Sequence, residues 1–330
     1  MNSAETLSIV QANLLSPVVL CFFLGCIATL VKSDLKVPES VYSLFTIYLL
    51  FALGLKGGVE LSHTQVDDAL KPALATLLLG IITPLTAYFS ARILGKLSVP
   101  DAAALGAHFG SVSVVTFIAA QSFLSSVGVL YEGYMSTLVV LLEAPAILLS
   151  LLLARAKQSD SFDFSSLRHA AHEILTGRSL LLLMGGLVIG ALSGQSGYDK
   201  VEPLFGSPFQ GVVSLFLLEM GIIASKRFRD LKRSGVFVLL FGTCIPVVNG
   251  AIGALFGQLS GMSLGGTALL STLAASASYI AAPAAVRIAL PEANPGLYLT
   301  ATLTVTFPFN LVVGIPLYLK MAEFVRGIFQ

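Results

Sequence analysis

The sequence predicts an all-α polytopic membrane protein, and composition, apolar run length and one central polar stretch predict it. Of its 330 residues 55% are hydrophobic and 11% are charged, and the mean hydropathy is +0.88, whereas a soluble domain carries about 25% charged residues. Apolar runs near the length of about 20 residues that crosses a bilayer recur along the chain. The only long polar stretch is 155–178. The prediction is ten transmembrane helices in two sets of five.

The ten predicted segments follow the apolar runs in order. The first thirteen residues contain Glu5 and no Lys or Arg, so they lack the positive start of a secretory signal, and the first run is expected to be a retained helix. The segments lie near residues 14–31, 40–55, 72–94, 101–125, 133–154, 179–193, 207–224, 234–257, 264–289 and 297–319. Cys21, Cys26 and Cys244 fall inside these runs and are expected to act as small hydrophobic residues.

The polar stretch divides the chain into a first repeat (1–154), a linker (155–178) and a second repeat (179–330). At an offset of 162 residues, identical residues recur, which predicts an internal duplication. The pairs are Leu77, Leu78, Gly80, Pro84, Gly95, Leu97 and Ser98 with Leu239, Leu240, Gly242, Pro246, Gly257, Leu259 and Ser260, and Ile118, Ala119 and Ala120 with Ile280, Ala281 and Ala282.

Five helices per half place the two repeats in opposite orientations, an arrangement found in many secondary transporters. If the linker is cytoplasmic, the outer side holds five of the 19 Lys and Arg residues, which leaves fourteen inside. This satisfies the positive-inside rule and places both termini outside. The outer residues are Lys56, Lys71, Lys200, Lys320 and Arg326.

Small and hydroxylic residues occupy the middle of segments 4 and 9. Segment 4 contains the run Gly110-Ser111-Val112-Ser113-Val114-Val115-Thr116, and segment 9 contains Ala275-Ser276-Ala277-Ser278. Ser and Thr can satisfy backbone groups where a helix is interrupted, and two crossing interruptions would direct positive helix ends at one point, a site for a small anion. The alternative is a pair of continuous helices that pack closely.

Polar residues beside prolines follow each run: Glu143 next to Pro145, and Thr304, Thr306 and Asn310 around Pro308. Carboxylate, hydroxyl and amide oxygens, with the carbonyl that proline frees, suit a hard cation such as sodium. A carboxylate inside a membrane is a functional candidate, although Glu143 could instead be protonated or bonded to another helix.

Two further buried candidates keep both interpretations open. Glu219 is either an ion ligand or the partner of the nearby cluster Lys226, Arg227 and Arg229, and His108 either senses protons or packs with a hydrogen bond. A net charge of +1 offers no surface for nucleic acid. No Walker A loop, HExxH or GxSxG motif is present, which argues against an ATP-driven pump or these hydrolases.

Three runs of the second half, in order and spacing, resemble the SbtA-type sodium-dependent bicarbonate permease family. They are Ala277 to Ala285 (ASYIAAPAA), Leu290 to Pro295 (LPEANP) and Thr306 to Asn310 (TFPFN). In the first half, Phe109 to Ser113 (FGSVS) and the acid-x-Pro at Glu143 resemble the corresponding family segments.

The resemblance implies a sodium-dependent bicarbonate symporter of the bacterial inner membrane, without a cofactor and not an enzyme. It implies a homotrimer whose protomers divide into a core and a gate domain, each drawn from both repeats, with interrupted crossing helices in segments 4 and 9. A PII-like regulatory protein is a possible cytoplasmic partner. By this resemblance the anion site comprises Gly110, Ser111, Ser113, Ala277 and Ser278, and the sodium ligands are Ser113, Thr116, Glu143, Ser276, Thr306 and Asn310.

Three other functions remain as alternatives. The nearest is a sodium- or proton-coupled carrier of another small anion such as a short carboxylate, because helix-dipole sites do not distinguish planar oxyanions. A cation/proton antiporter would be expected to use a pair of carboxylates at the midplane, and the two small-residue runs contain no Asp or Glu. A membrane scaffold that binds a ligand without transporting it is the third.

Overall fold

The computed structural model describes residues 11–157, 172 and 175–329, and within these ranges the regular secondary structure is helical. The last helix contains two π-helical stretches, Thr300–Thr306 and Asn310–Gly314. The main helices are α1 (Pro17–Leu30), α2 (Glu39–Ser62), α3 (Val66–Ile93), α4 (Val99–Gly110), α5 (Val114–Ser126), α6 (Met135–Lys157), α7 (Arg178–Phe205), α8 (Phe209–Lys226), α9 (Phe228–Leu259), α10 (Leu264–Ala275), α11 (Ala281–Ala289) and α12 (Pro295–Phe329).

Eight spans in the described part of the chain are long and apolar enough to cross a membrane, with α4 and α5 together forming one of them. The chain is therefore a multi-pass helical protein, as predicted. The first and ninth predicted segments correspond to shorter apolar helices, α1 and α10. The count of ten transmembrane helices stays a prediction, and most of the predicted linker (155–178) lies outside the described residues.

Helices α2 and α7 extend beyond their predicted ends at residues 55 and 193. The predicted end of segment 6 falls beside Gly194, whose φ of 59° and ψ of −167° are not helical, so α7 consists of two helices that meet at a kink there. Helix α9 likewise consists of two helices that meet at Gly235, with φ of 79° and ψ of 172°, beside the predicted start at 234. Glycine adopts positive φ without a steric penalty, which allows both junctions.

The helices pack in two sets. Helix α1 packs against α8, and α2 packs against α7, so each of the first two helices contacts a helix from the other half of the chain. Helices α3, α4 and α6 pack on one another, as do α9, α10 and α12. The Thr86 hydroxyl of α3 donates to Asn249 Oδ1 of α9 at 2.6 Å, which joins the two groups of three.

The helix starts follow the predicted offset of 162 only in part. Helices α3 and α9 begin at Val66 and Phe228, and each contains one of the paired prolines, Pro84 and Pro246. The pairing of Ser98 with Ser260 is wrong, because Ser98 caps the start of α4 whereas Ser260 follows the end of α9. The serine that caps α10 is Ser263, three residues later. The reason is that α9 is longer than α3. The duplication itself stays a prediction.

Candidate functional site

Segments 4 and 9 are both interrupted near their middles, as the resemblance implies, and the alternative of two continuous helices is wrong. Residues 111–113 separate α4 from α5, and residues 276–280 separate α10 from α11. Each interruption begins with a serine in extended conformation: Ser111 has φ −86° and ψ 171°, and Ser276 has φ −81° and ψ 168°. We call these stretches break 1 (111–113) and break 2 (276–280).

The two breaks are hydrogen-bonded to each other. The backbone N–H of Ser113 donates to the hydroxyl of Ser276 at 2.9 Å. The backbone N–H of Ser278 donates to the carbonyl of His108, on α4, at 2.7 Å. Buried backbone groups that lose their helical partner need another one; here break 2 supplies it to Ser113, and the last turn of α4 supplies it to Ser278.

A side chain from a neighbouring helix satisfies the carbonyl at the end of α10: the Asn310 amide donates to the carbonyl of Ala275 at 3.0 Å. At the end of α4, the Thr83 hydroxyl lies 3.4 Å from the carbonyl oxygen of Gly110, but it donates its one proton to the carbonyl of Leu79 at 2.7 Å. Tyr318 in turn donates its hydroxyl proton to Asn310 Oδ1 at 2.6 Å. Asn310, a predicted sodium ligand, therefore lies beside break 2 and is hydrogen-bonded to the residue that precedes it.

The hydroxyl of Ser113, predicted to bind both ions, forms three hydrogen bonds. Its oxygen accepts from the backbone N–H of Thr116 at 3.1 Å and from the Thr116 hydroxyl at 2.9 Å. Its proton is donated to the hydroxyl of Tyr279 at 3.2 Å. A hydroxyl has one proton and two lone pairs, so any ligand of Ser113 must displace one of these partners.

Glu143, on α6, is only 3% exposed, and its Oε2 has no hydrogen-bond partner among the described residues. A carboxylate buried without a partner is costly unless it is neutralised or binds a cation. The Ser111 hydroxyl is also buried and unpartnered. Both groups have acceptor oxygens available for a cation.

Glu143 borders a cavity of about 260 Å³ that opens beside the start of α7, where the linker ends. A much smaller space shares Glu143, Ser179, Ile280 and Ala281 with this cavity and is also bordered by Val112, Ser113, Ser278 and Tyr279 of the two breaks; we call it the narrow extension. We call the larger space the linker-side cavity; it is lined by Glu143, Gly177, Arg178, Ser179, Leu180, Ile280, Ala281, Ala284 and Ala285. Break 2 therefore borders the linker-side cavity through Ile280.

A second cavity, of about 390 Å³, lies at the other end of α7, near Phe205. Lys56 and Glu60 of α2 line it, together with Gln121 of α5 and Gln210 of α8. We call it the far-side cavity. It explains why α2 continues past its predicted end: its charged residues border a cavity and do not face lipid. The bordering α5 residues begin with Ile118, one turn beyond break 1.

Most of the predicted site residues lie at or beside the breaks. Gly110 ends α4, and a Cβ there would lie 2.6 Å from Pro84 Cβ and 2.9 Å from Ala146 Cβ, so only glycine fits this packing. Ala277 is buried within break 2, and the Ser278 hydroxyl accepts from the backbone N–H of Ala282. Thr306 is the exception, because its hydroxyl donates to the carbonyl of Gly242 on α9 at 2.7 Å.

Tyr279 was not among the predicted site residues, although it bonds to Ser113 and borders the narrow extension. Its ring packs edge-on against Phe307 at a centroid distance of 5.3 Å. The sequence carries no signal that singles it out, because a tyrosine is ordinary in an apolar run.

The structure gives different results for His108 and Glu219, the two residues with two interpretations each. His108 is fully buried, hydrogen-bonds from Nδ1 to the carbonyl of Ala104 at 2.7 Å and stacks on Tyr298 at 4.5 Å, which fits the packing interpretation. Glu219 forms no ion pair within 4 Å in the described residues. Its Oε2 is buried without a partner.

No group of three or more His, Cys, Asp or Glu side chains that could hold a metal occurs in the part of the chain described. The oxygens near the breaks come from hydroxyls, an amide, carbonyls and one carboxylate. This donor set suits a hard cation such as sodium and not a transition metal.

The apolar helices, and the two hydrogen-bonded helix breaks beside the cavities, define a multi-pass membrane protein of the transporter type. The chain belongs to the Na+-dependent bicarbonate transporter superfamily, whose model matches residues 17–323. The family resemblance seen in the sequence is thereby confirmed. A comparison with curated proteins finds no match.

Proposed function

We propose that the protein is a sodium-dependent bicarbonate symporter that works by alternating access. The observation that carries the proposal is the pair of mutually hydrogen-bonded breaks beside the buried, unpartnered carboxylate of Glu143. Together they offer a small anion and a hard cation adjacent sites. Family membership supports both ions.

The anion site is proposed at the breaks, with Gly110, Ser111, Ser113, Ala277 and Ser278. Helices α5 and α11 begin at the breaks, and a helix N-terminus presents unpaired N–H groups and a partial positive charge. The hydroxyl of Ser111 has no partner and can donate to a bicarbonate oxygen.

Sodium is proposed to bind beside the anion, with ligands drawn from Ser113, Thr116, Glu143, Ser276, Thr306 and Asn310. Sodium there would neutralise the carboxylate, which removes the cost of its burial. It would also attract the anion strongly, because the local dielectric constant is low. We therefore propose that sodium binds first and that bicarbonate follows.

Alternating access would require the breaks to face first the far-side cavity and then the linker-side cavity. The breaks belong to the helices that pack with α3, α6, α9 and α12, whereas α1, α2, α7 and α8 form the other packing set. We propose that these two sets are the core and gate domains and that they move relative to each other. In the described conformation break 2 borders the linker-side cavity through Ile280.

The remaining expectations are part of the same proposal. They are ten transmembrane helices in two inverted repeats, a bacterial inner-membrane location with both termini outside and the linker cytoplasmic, and a homotrimer. A PII-like protein is a candidate partner on the cytoplasmic side.

Uptake of labelled bicarbonate into proteoliposomes, with and without an inward sodium gradient at fixed pH, tests the proposal. Empty liposomes control for diffusion of carbon dioxide. Gradient-dependent uptake is the expected result. Bicarbonate uptake that is independent of sodium contradicts the symport proposal. Uptake of a short carboxylate without uptake of bicarbonate also contradicts it.

A further inference from the structure

Tyr279 links the two breaks through its hydroxyl group. It lies in break 2, it is only 9% exposed, and its hydroxyl accepts the proton of Ser113 in break 1. Edge-on packing against Phe307 fixes the direction of the ring. The phenol is thus held at the position where the proposed cation and anion sites meet.

The hydrogen bonds of this cluster have a direction. Thr116 donates its hydroxyl proton to Ser113, and Ser113 donates its own proton to Tyr279. The hydroxyl proton of Tyr279 has no acceptor among the residues that the structure describes. A buried O–H donor without an acceptor is unfavourable, and the narrow extension that Tyr279 borders is where an acceptor could enter.

We propose that Tyr279 couples the binding of the two ions. Its hydroxyl donates a hydrogen bond to the bound anion, and this hydrogen bond becomes stronger when a cation binds the oxygen of Ser113. This inference rests on the proposed function and adds to it a residue and a physical route for coupling. The anion is a small oxyanion, because the space that Tyr279 borders is narrow.

The route follows from the polarisation of linked hydroxyls. A cation at the Ser113 oxygen takes a lone pair that now accepts from the Thr116 hydroxyl, which turns away and offers its own oxygen as a ligand. The cation withdraws electron density from the Ser113 O–H group, which then donates more strongly to Tyr279. Tyr279 becomes a better donor in turn, since hydrogen bonds in a chain strengthen one another. No proton is transferred in this process.

Coulomb attraction between the ions also contributes, but it does not need the phenol. The Tyr279→Phe variant removes the hydroxyl and keeps the ring that packs on Phe307. It therefore separates the hydroxyl route from direct attraction. A matched control is Tyr88→Phe, because Tyr88 is also buried and its hydroxyl has no partner in the described residues.

The test is bicarbonate binding to the purified full-length protein by calorimetry, at low and at high sodium, with choline replacing sodium at constant ionic strength. For the wild type, sodium should tighten bicarbonate binding by about 5-fold or more, as expected for coupled sites. In Tyr279→Phe this factor should fall about 5-fold, because a hydrogen bond strengthened by charge is lost. In Tyr88→Phe it should equal the wild-type factor.

The outcomes separate the inference from the proposed function. If sodium does not change the bicarbonate affinity of the wild-type protein, the proposed function is overturned, and with it the coupling role of Tyr279. Sodium-dependent binding in the wild type with an unchanged sodium factor in Tyr279→Phe overturns the role of Tyr279 alone. If Tyr88→Phe loses coupling as much as Tyr279→Phe does, the effect is not specific to the break and the inference is also overturned.

Discussion

The backbone N–H of Ser113 and the hydroxyl of Ser276 lie 2.9 Å apart and form a hydrogen bond that joins the two helix breaks. Both groups are buried, and separating the breaks would leave the Ser113 N–H without a partner, whereas the Ser276 hydroxyl would keep its bond to the carbonyl of Leu273. The breaks are therefore expected to move as one unit. An alternating-access motion would then carry both breaks together past α2 and α7, and would not open a path between them.

Ser276→Ala tests this connection. Removing the hydroxyl leaves the N–H of Ser113 buried without an acceptor, which should lower the free energy of unfolding by about 1–3 kcal/mol. The measurement is thermal unfolding in detergent. Ser271→Ala is the control, because that hydroxyl donates a buried hydrogen bond to the carbonyl of Gly250, as Ser276 does to the carbonyl of Leu273, but lies away from the breaks. Uptake is then compared per amount of folded protein. If only Ser276→Ala lowers this normalised uptake, the hydrogen bond contributes to the function of the site; equal normalised uptake in both variants contradicts this.

Glu143→Gln should abolish the sodium dependence of uptake while the protein stays folded. The amide keeps the size of the side chain but removes the charge that offsets a cation in low dielectric. The measurement is the initial uptake rate as a function of sodium concentration. Glu39→Gln, at the exposed start of α2, should behave as the wild type. A Glu143→Gln protein with an unchanged sodium response would show that the carboxylate binds no sodium.

Gly110→Ala should destabilise the protein because the new methyl group would contact Pro84 and Ala146 at less than 3 Å. Overpacking of this kind costs about 1–3 kcal/mol. Gly185→Ala is the matched control, since a methyl group there meets nothing within 4 Å. Thermal unfolding of the two variants should differ clearly, and similar midpoints would mean that α4 and α3 do not pack closely at Gly110.

Cysteine labelling tests which side each cavity faces. In a protein whose native cysteines are replaced, Ile280→Cys should react with a membrane-impermeant thiol reagent from one side of the membrane, and Gln121→Cys from the other. Ile280 borders the linker-side cavity, whereas Gln121 borders the far-side cavity. Reaction of both positions from the same side would contradict the assignment of the cavities to opposite sides.

Asn310 and Tyr318 should show coupled effects on stability. Asn310→Leu leaves the carbonyl of Ala275 and the hydroxyl of Tyr318 without their partners. Combined with Tyr318→Phe, it should cost about 1 kcal/mol less than the sum of the single variants, since one unpaired hydroxyl is removed. A double-mutant cycle by chemical unfolding measures this difference. Additive effects would mean that the bond contributes nothing.

Much of the site could be predicted because its residue types are unusual at membrane depth. Ser111, Ser113, Ser276 and Ser278 stand out in apolar segments, and the structure places them in the two breaks. Thr306 fits the same pattern, yet its hydroxyl bonds to Gly242, because a residue type does not reveal which helix lies opposite. Tyr279 was missed for the converse reason: a tyrosine is ordinary in an apolar run until its partner is known.

The sequence by itself determined the class of protein and the approximate position of most helices, because these depend on local hydropathy and on residue type. The breaks in segments 4 and 9 were expected from the resemblance to a known family, since composition alone left continuous helices as an alternative. Only the tertiary structure decided which helices pair across the two halves and which hydroxyls are already occupied. It also decided why α2 continues through Lys56 and Glu60, which border a cavity. The physical reason is that apolar length reports the cost of contact with lipid, whereas packing decides which residues contact lipid at all.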